Sequence, residues 1–349
     1  MKPSRRIEEY GIRIGRMPKG PRNTIADVPE VSVGHCTLAD GAVQTGVTAV
    51  IPATGNLFRE KVMAACHVIN GFGKSCGIVQ IEEMGTLETP ILLTNTFGVG
   101  ATSEALVRSM LGANPDIGRE TGTVNPAVFE CNDGFLNDIR ALSVREEHVL
   151  RAIASADPDF EEGAVGAGRG MSCYQLKGGI GSASRIVEYG GASFTLGALV
   201  LSNFGQMEDL TVDGRKLGGA IFGIAPPENE QGSIIAVLAT DAPLTERQLK
   251  RVARRASVGI TRTGAFIGNG SGEIALAFTT ANRVFHDETS PVRRIGMFNE
   301  NKINLLFRAT VEATEEAVLN SMVCAEAVTG RDGHTRRSLA EFAELFAAE

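Results

Sequence analysis

Short apolar runs, each bounded by Gly, Pro or Asn, dominate the first two thirds of the chain. Each run has the length of a β-strand and is rich in β-branched or aliphatic residues, so the pattern predicts strands. Clear examples lie at 46–53 (GVTAVIPA), 77–81 (GIVQI), 89–96 (TPILLTNT) and 192–205 (ASFTLGALVLSNFG). The 41 glycines of the chain fit the many tight turns that short strands require.

Helical patterns lie between and after these runs. One covers 99–113, another covers about 302–328, and the segment 244–259 begins with Thr245 and Gln248 at the spacing of a capping box. Strands and helices therefore mix without strict β-α-β alternation. This order favours a layered α+β fold over a doubly wound parallel sheet.

Charge and composition argue against several classes of partner and site. The net charge of −7 disfavours binding to nucleic acid or to an anionic membrane. No apolar run reaches membrane-spanning length, and the first 20 residues lack the apolar core of a signal peptide, so we expect a cytoplasmic protein. The six cysteines form no C-x-x-C pair and no two of the five histidines are spaced i, i+4, so we predict neither a metal nor a cofactor.

One serine stands at the start of a buried-looking strand. The polar segment 223–232 (GIAPPENEQG) predicts an exposed loop, and Ser233 follows it directly, ahead of the apolar run 234–239. Such a serine is ordinarily only a polar strand start. If the Gly232–Ser233 bond were cut, however, Ser233 would carry both a hydroxyl and an α-amine of pKa about 7.7–8.0, which can act as a general base. Gly232 suits such a cleavage because it has no Cβ to block attack on its carbonyl.

Two further polar positions fit the same chemistry. Ser271 and Glu273 lie in a Gly-rich turn at the start of a predicted strand, 272–282, and their i, i+2 spacing sends both side chains to one face of an extended segment. Asn203 ends the apolar run 192–205, where an amide N–H could stabilise an oxyanion. Taken alone, each is more typical of a turn residue. A Ser-His-Asp triad also stays open, because triads are assembled in space rather than in sequence.

Several blocks of sequence carry a family resemblance. They run in order along nearly the whole chain, at 23–36, 125–140, 163–185, 203–206, 232–244, 262–278 and 329–339. On these blocks the chain resembles the L-aminopeptidase/D-esterase-amidase (DmpA) family and the related β-peptidyl aminopeptidases. The resemblance implies a single α+β domain, a four-layer αββα sandwich shared with ornithine-type acetyltransferases. It also implies self-cleavage into residues 1–232 and 233–349.

The resemblance assigns roles to individual residues. It implies that Ser233 is the nucleophile, that Ser271 and Glu273 support it, and that Asn203 is the oxyanion-hole amide. Glu130 matches the carboxylate that binds the free amine of the substrate. A further position, Phe135, is expected to contact the substrate, but it stands where some members have a Tyr, so no phenolic hydroxyl is present there.

The activity implied is release of N-terminal amino acids from small peptides, amides or esters through an acyl-enzyme, by a homotetramer. Two alternatives stay open at this point. An ornithine-type acetyltransferase shares the sandwich and the self-cleavage, but its nucleophile is a Thr, which Ser233 argues against. A non-catalytic binding protein of the same fold would have lost cleavage, and would run as an intact chain on a denaturing gel.

Overall fold

The computed structural model describes residues 5–222 and 232–346 of the chain. The predicted exposed loop at 223–232 lies outside the described residues except for Gly232. The strands are β1 (Ser32–Asp40), β2 (Val43–Ile51), β3 (Glu60–Gly71), β4 (Thr86–Leu87), β5 (Ile91–Asn95), β6 (Ala127–Cys131), β7 (Ser172–Cys173), β8 (Leu176–Lys177), β9 (Gly179–Tyr189), β10 (Ala192–Asn203), β11 (Thr211–Val212), β12 (Arg215–Lys216), β13 (Ser233–Thr240), β14 (Gly272–Phe285), β15 (Val328–Thr329) and β16 (Thr335–Arg336).

Helices of two kinds complete the described elements. The α-helices are α1 (Ile78–Met84), α2 (Val99–Ala113), α3 (Glu146–Ala154), α4 (Gly218–Phe222), α5 (Glu246–Ala253), α6 (Ala256–Arg262) and α7 (Asn304–Val323). Short 3-10 helices cover Ile7–Tyr10, Ile25–Asp27, Thr96–Gly98, Ile139–Ala141, Gly166–Gly168, Met207–Asp209, Glu300–Lys302, Arg331–Gly333 and Leu339–Phe346. No helix within the described ranges is long and apolar enough to cross a membrane.

Two sheets pack face to face in the centre of the molecule. One has the order β1-β2-β5-β6 and the other the order β4-β3-β14-β13-β10-β9. The core between them contains residues of both sheets, such as Leu93 and Phe129 from one and Leu199, Val237 and Phe278 from the other. Pairing is antiparallel except for β5 with β6 and β13 with β14.

Helices cover both outer faces of the paired sheets. The helices α5, α6 and α7 share an apolar core with the six-stranded sheet, and α2 and α3 share another with the four-stranded sheet. The layers are therefore α, β, β and α. This arrangement confirms the α+β class and the four-layer sandwich, because each sheet buries one face against helices and the other against its partner sheet.

The local predictions were correct for most elements and wrong for one. The helix predicted at 99–113 matches α2, and the predicted capping box is formed, with the Gln248 N–H donating to Thr245 Oγ1 at 3.3 Å. The strand predicted at 77–81 is wrong, because this segment begins α1. Gly77 and Gly85 bound that helix in left-handed conformations, with φ of 93° and 65°. A short apolar run bounded by glycines does not by itself distinguish a strand from a helical turn.

A buried ion network joins α7 to the six-stranded sheet. The fully buried guanidinium of Arg185, on β9, lies 2.7 Å from Glu316 Oε2 and 3.2 Å from Glu312 Oε2 on α7. Lys19 also approaches Glu316, at 2.8 Å. Breaking one partner of such a buried pair costs several kcal/mol, about 3–5, because it leaves an uncompensated charge. The network therefore fixes α7, which follows Ser233, onto strands that precede it.

Candidate active site

Ser233 is the first residue of β13, in the middle of the six-stranded sheet. It lies opposite Asn203 of β10 on one side and opposite Gly272 of β14 on the other. Only 4% of Ser233 is exposed. Immediately before it, the carbonyl oxygen of Gly232 accepts a hydrogen bond from the Gly272 N–H at 3.0 Å. The peptide bond before Ser233 is therefore held in a fixed position by the neighbouring strand.

The space around Gly232 requires a glycine. A Cβ added to it would lie 2.4 Å from the Asn203 carbonyl oxygen and 2.7 Å from the Phe204 Cα. Both atoms belong to the backbone of β10 or its extension, and so cannot move aside cheaply. The glycine allows the chain that leads into Ser233 to run against the end of β10.

Ser233 and Asn203 face the same space between the two sheets. Residues opposite each other on neighbouring strands point to the same face, and the next residues on that face, Leu201 and Ile235, belong to the core between the sheets. Cys131, at the end of β6, belongs to the core on this face, and its thiol donates to the Leu201 carbonyl at 3.5 Å. Burial raises the pKa of the Cys131 thiol well above its usual range, against a smaller opposing effect of the Ser233 side chain. Cys131 therefore stays a neutral neighbour of the serine.

The Asn203 amide is oriented by two backbone groups. Its Oδ1 accepts from the Ser172 N–H at 2.8 Å, and its Nδ2 donates to the Asn132 carbonyl at 2.9 Å. Because a backbone N–H can only donate and a carbonyl can only accept, these two partners determine the positions of Oδ1 and Nδ2 in the Asn203 amide. An amide nitrogen carries two hydrogens, so one remains for a ligand.

A buried lysine stabilises the segment 168–178, which includes Ser172, the residue whose N–H donates to Asn203. The Nζ of Lys177 donates to the carbonyls of Gly168, Met171 and Gly178 at 2.7–2.8 Å. Burial lowers the pKa of Lys177 well below that of an exposed lysine. The three carbonyls nevertheless match the three N–H donors of an ammonium, so the geometry fits the protonated form. Nothing in the sequence distinguishes this lysine from a surface one.

Ser271 and Glu273 flank Gly272, the register partner of Ser233. Both are buried. Glu273 lies opposite Ile234, so strand alternation places it on the face away from the Ser233 side chain. The Oγ of Ser271 has no hydrogen-bond partner within the described residues. The structure thus brings this pair to the strand beside Ser233.

Glu130 lies on β6 next to Cys131 and is 4% exposed. Its carboxylate accepts hydrogen bonds from the hydroxyl of Thr96 and from the Lys74 N–H, the latter at 2.8 Å. The segment that carries Lys74 also reaches Gly272, whose added Cβ would lie 2.5 Å from the Phe72 carbonyl oxygen. One loop therefore connects the Glu130 carboxylate to the β14 side of Ser233.

A cleft of about 400 Å³ opens on the other side of Ser233. The described residues that line it are Asn132, Gly134, Phe135, Ile139, Ser172, Gln175, Asn203, Phe204, Gly205, Gln206, Gly232, Arg331 and Arg336. Asn203, Phe135 and Gly232 of the predicted site are among them, whereas Ser233, Ser271, Glu273 and Glu130 are not. The sequence reasoning missed the two arginines, because only the fold brings 331–336 to this position.

Phe135 forms part of one wall of the cleft. Its ring stacks on His334, with the centroids 4.7 Å apart, and the guanidinium of Arg336 lies 3.6 Å from its centroid. His334 Nδ1 donates to the Phe135 carbonyl at 2.9 Å. These contacts give the position a packing role that needs no phenolic hydroxyl.

Asp133 is a fully buried carboxyl beside the cleft that sequence reasoning also missed. Burial raises the pKa of Asp133 to about 7, against the opposing hydrogen bonds from Thr45, Asn137 and Asn95. Asn137 Nδ2 donates to its Oδ1 at 3.0 Å. An acid whose folded pKa lies above its unfolded value binds its proton more tightly when folded. Its contribution to stability is therefore complete below about pH 4 and is lost as the pH rises to about 7.

Asp133→Asn is expected to flatten the pH dependence of stability, because the amide cannot ionise. The midpoint of thermal unfolding, measured from pH 4 to pH 8, should fall less with rising pH in this variant than in the wild type. Asp40→Asn, which changes an exposed aspartate, is the matched control and should keep the wild-type slope. Equal slopes for Asp133→Asn and wild type would show that Asp133 does not titrate in this window.

Comparisons with known proteins identify relatives of this chain. The family model of peptidase family S58 matches residues 23–336. The chain is 39% identical to the β-peptidyl aminopeptidase BapA of Sphingosinicella microcystinivorans, over 96% of this chain and 89% of that protein. Its structure resembles that of the L-aminopeptidase D-Ala-esterase/amidase of Ochrobactrum anthropi, a variant of the Ntn hydrolase fold, with a TM-score of 0.91, 38% identity and coverage of 97% and 96% of the two chains.

An archaeal structure is also similar. A protein of Pyrococcus horikoshii OT3 superposes with a TM-score of 0.94 and 51% identity, over 97% of this chain and 98% of that one. The proteins of Sphingosinicella microcystinivorans and Ochrobactrum anthropi are aminopeptidases by name, and neither of them supports the acetyltransferase alternative.

Proposed function

Because this chain belongs to peptidase family S58 and is a self-processing serine aminopeptidase, we propose that Ser233 is its nucleophile, released by cleavage after Gly232. The observation that carries this assignment is the register of β13, which sets Ser233 opposite Asn203 while Gly272 holds the Gly232 carbonyl at 3.0 Å. Cleavage there divides the single sandwich domain into residues 1–232 and 233–349.

Self-cleavage on this assignment is an acyl shift followed by hydrolysis. The Ser233 Oγ attacks the Gly232 carbonyl carbon, the C–N bond breaks, and the Ser233 nitrogen leaves as an amine. Water then hydrolyses the resulting ester, which gives a Gly232 carboxylate and restores the hydroxyl. The Gly272 N–H donates to the carbonyl oxygen that becomes negative during the attack.

Peptide hydrolysis repeats the same attack on a substrate. The new Ser233 amine, with a reference pKa of about 7.7–8.0, takes the proton of the hydroxyl as it attacks the substrate carbonyl. Asn203 Nδ2 stabilises the oxyanion. The proton passes to the leaving amine, and water releases the acyl group. We assign Ser271 and Glu273 to the orientation of the α-amine, because they flank Gly272, the register partner of Ser233.

The substrate class, assembly and location follow as proposals. We propose that the protein releases N-terminal amino acids from small peptides, amides or esters, as the names of its relatives suggest. It does so without metal or cofactor, as a homotetramer in the cytoplasm, and its net charge of −7 leaves nucleic acid and membranes outside its partners.

The direct test uses the purified wild-type protein. A denaturing gel should show two chains, and Edman sequencing of the smaller should begin Ser-Ile-Ile-Ala. The same sample should hydrolyse an amino-acyl p-nitroanilide and should not transfer the acetyl group of acetylornithine. An intact chain that turns over no p-nitroanilide would contradict the assignment of Ser233.

Glu130→Gln is expected to cleave itself normally but to bind substrate less well. The carboxylate is held by Thr96 and Lys74 on the β14 side of Ser233, where it can pair with a substrate ammonium. Loss of that charge removes an interaction of about 1–3 kcal/mol. The KM for an amino-acyl p-nitroanilide should therefore rise. The ratio of kcat/KM for the substrate with a free amine to that for its N-acetylated form should fall.

The control for Glu130 is Glu120→Gln, which changes an exposed carboxylate and should leave KM unaltered. If processed Glu130→Gln keeps the wild-type KM and the wild-type discrimination, a different acidic group binds the amine.

A further inference from the structure

Two exposed phenylalanines lie next to the residues that hold the Glu130 carboxylate. Phe97 follows Thr96, whose hydroxyl donates to that carboxylate, and Phe72 lies two residues before Lys74, whose backbone N–H donates to it. Phe72 is 61% exposed and Phe97 is 55% exposed. A single exposed apolar side chain needs no explanation. Two aromatic rings beside one buried carboxylate indicate a surface that binds a ligand.

The backbone that carries Phe72 is fixed on both sides. The Phe72 carbonyl oxygen lies against β14, where a Cβ added to Gly272 would come within 2.5 Å of it. The next residue, Gly73, lies against Glu130, because its added Cβ would be 3.2 Å from Glu130 Oε1. The Phe72 ring also has a neighbour, Lys74 Nζ, at 4.9 Å from its centroid. The ring is therefore exposed to solvent but held in position by a cation–π contact.

The turn that carries Phe97 is fixed as well. Asn95 Oδ1 accepts a hydrogen bond from the Gly98 N–H at 2.7 Å, and Asn95 Nδ2 donates to Thr45 Oγ1 at 2.8 Å. A Cβ added to Gly98 would lie 2.6 Å from Thr94 Oγ1, so the turn packs closely on the end of β5. A ligand that touches the Phe97 ring therefore has little backbone to order on binding, which favours affinity.

The charge of Glu130 is not neutralised by a neighbouring cation. Within the part of the chain that the structure describes, Glu130 accepts hydrogen bonds but forms no ion pair. The nearby ammonium of Lys74 lies over the Phe72 ring, and it also forms no ion pair there. A buried carboxylate without a cation favours a positively charged ligand group. The aromatic rings therefore lie beside a position suited to a substrate ammonium.

The end of β6 connects this position to the reacting groups. Asn132, two residues after Glu130, accepts a hydrogen bond from Asn203 Nδ2 at 2.9 Å, and Asn203 lies opposite Ser233. A substrate whose ammonium pairs with Glu130 and whose carbonyl lies at Ser233 has its first residue between them. The side chain of that residue is attached within one or two carbons of the ammonium. It must therefore lie close to the surroundings of Glu130.

We infer that Phe72 and Phe97 form a subsite for the side chain of the first residue, so that the favoured substrates begin with a large apolar amino acid. This inference deepens the proposed function and rests on it. The ammonium binds Glu130, and the apolar side chain next to it covers the two rings. Each ring loses contact with water when the side chain covers it, and this burial of apolar surface provides the preference.

The test compares leucyl p-nitroanilide with alanyl p-nitroanilide on the processed wild-type enzyme. The two substrates share the ammonium and the leaving group and differ only in the apolar side chain. Each is assayed in its L, D and β-homo forms, and the ratio of kcat/KM is taken within the form that reacts fastest. We expect this leucine-to-alanine ratio to be about tenfold or more, the effect of burying a few additional carbons.

Variants locate the source of the preference. Phe72→Ala and Phe97→Ala should each lower the leucine-to-alanine ratio several-fold, and the double variant should bring it near one. Phe72→Leu, which keeps an apolar side chain, should retain most of the ratio. A general disturbance of Glu130 would weaken both substrates together and leave the ratio intact. Phe285→Ala, at another exposed phenylalanine, is the matched control and should keep the wild-type ratio.

A second copy of the chain is the other candidate to cover the two rings. Light scattering of each variant therefore accompanies the kinetic measurements. If the alanine variants change the oligomeric state and keep the wild-type ratio, the rings belong to an interface between copies, and the side-chain subsite is overturned. We expect the opposite result, an unchanged oligomeric state with a lowered ratio.

The remaining outcomes distinguish this inference from the proposed function. A ratio near one in the wild type, or a high ratio that persists in the double variant, overturns the side-chain subsite and leaves the aminopeptidase intact. A ratio that falls in the Phe72 and Phe97 variants but not in Phe285→Ala supports the subsite. Failure of the processed enzyme to hydrolyse any of the p-nitroanilides overturns both proposals.

Discussion

Ser233→Ala is expected to remain one chain of 349 residues and to lose its hydrolytic activity. The change removes the only atom of this residue that can attack the Gly232 carbonyl, so neither the new amine nor the nucleophile forms. Loss of the serine nucleophile in a triad serine protease lowers kcat by about 10⁶, and we expect a loss of similar order here. A denaturing gel measures the cleavage, and the rate on an amino-acyl p-nitroanilide measures the activity.

A conservative substitution tests whether self-cleavage depends on the hydroxyl of residue 233. Ser233→Thr retains a hydroxyl on a β-branched side chain, which a strand tolerates well, so it should still cleave, more slowly than the wild type. Ser233→Ala should fold normally, because Ser233 contributes one hydroxyl at the start of a strand whose next six residues, 234–239, are apolar. A Ser233→Ala protein that still appears as two chains would mean that cleavage is not autocatalytic.

Asn203→Ala should lower kcat by about 10²–10³, the usual cost of removing one oxyanion donor. The effect should fall mainly on kcat rather than KM, because the donor acts on charge that develops during the reaction. Self-cleavage should slow as well, since Ser233 and Asn203 are directly opposite in the sheet. Steady-state rates should therefore be measured on material that has been incubated until processing is complete.

Two further variants test whether the loss of kcat in Asn203→Ala is due to the missing N–H donor. Asn203→Asp keeps the size of the side chain but removes the N–H donor and adds a negative charge, so it should be at least as slow as the alanine variant. Asn301→Ala, at an exposed asparagine, should behave as wild type. A fully processed Asn203→Ala enzyme with nearly normal kcat would show that another group stabilises the oxyanion.

The sequence allowed prediction of elements whose signals are local. The helix at 99–113 and the Thr245 capping box depend on spacing within a few residues, and both were predicted correctly. The segment 77–81 was not, because its apolar letters suit a strand and a helical turn equally. Its conformation is determined by the left-handed Gly77 and Gly85 at its ends, which no periodicity reveals.

Only part of the candidate site could be predicted from the sequence. Ser233 can be suspected from the change of polarity at the start of its strand. Its position opposite Asn203 depends on strand register, and the family resemblance supplied that link rather than any local pattern. Cys131, Asp133 and Lys177 act through burial, which a sequence does not display. The arginines at 331 and 336 reach the cleft only because the chain returns to it after α7.

The order of strands in the large sheet has a consequence for how the enzyme can be made. The strands β14 and β13 lie between β3 and β10, so after cleavage two polypeptides alternate within one sheet. The uncut chain folds as a single molecule, at a rate independent of its concentration. Once cut, the same structure can be regained only if two separate chains meet, and each would carry exposed strand edges while it waited. Thermal inactivation of the mature form should therefore be far harder to reverse than that of Ser233→Ala, which makes the precursor the only efficient route to the assembled enzyme.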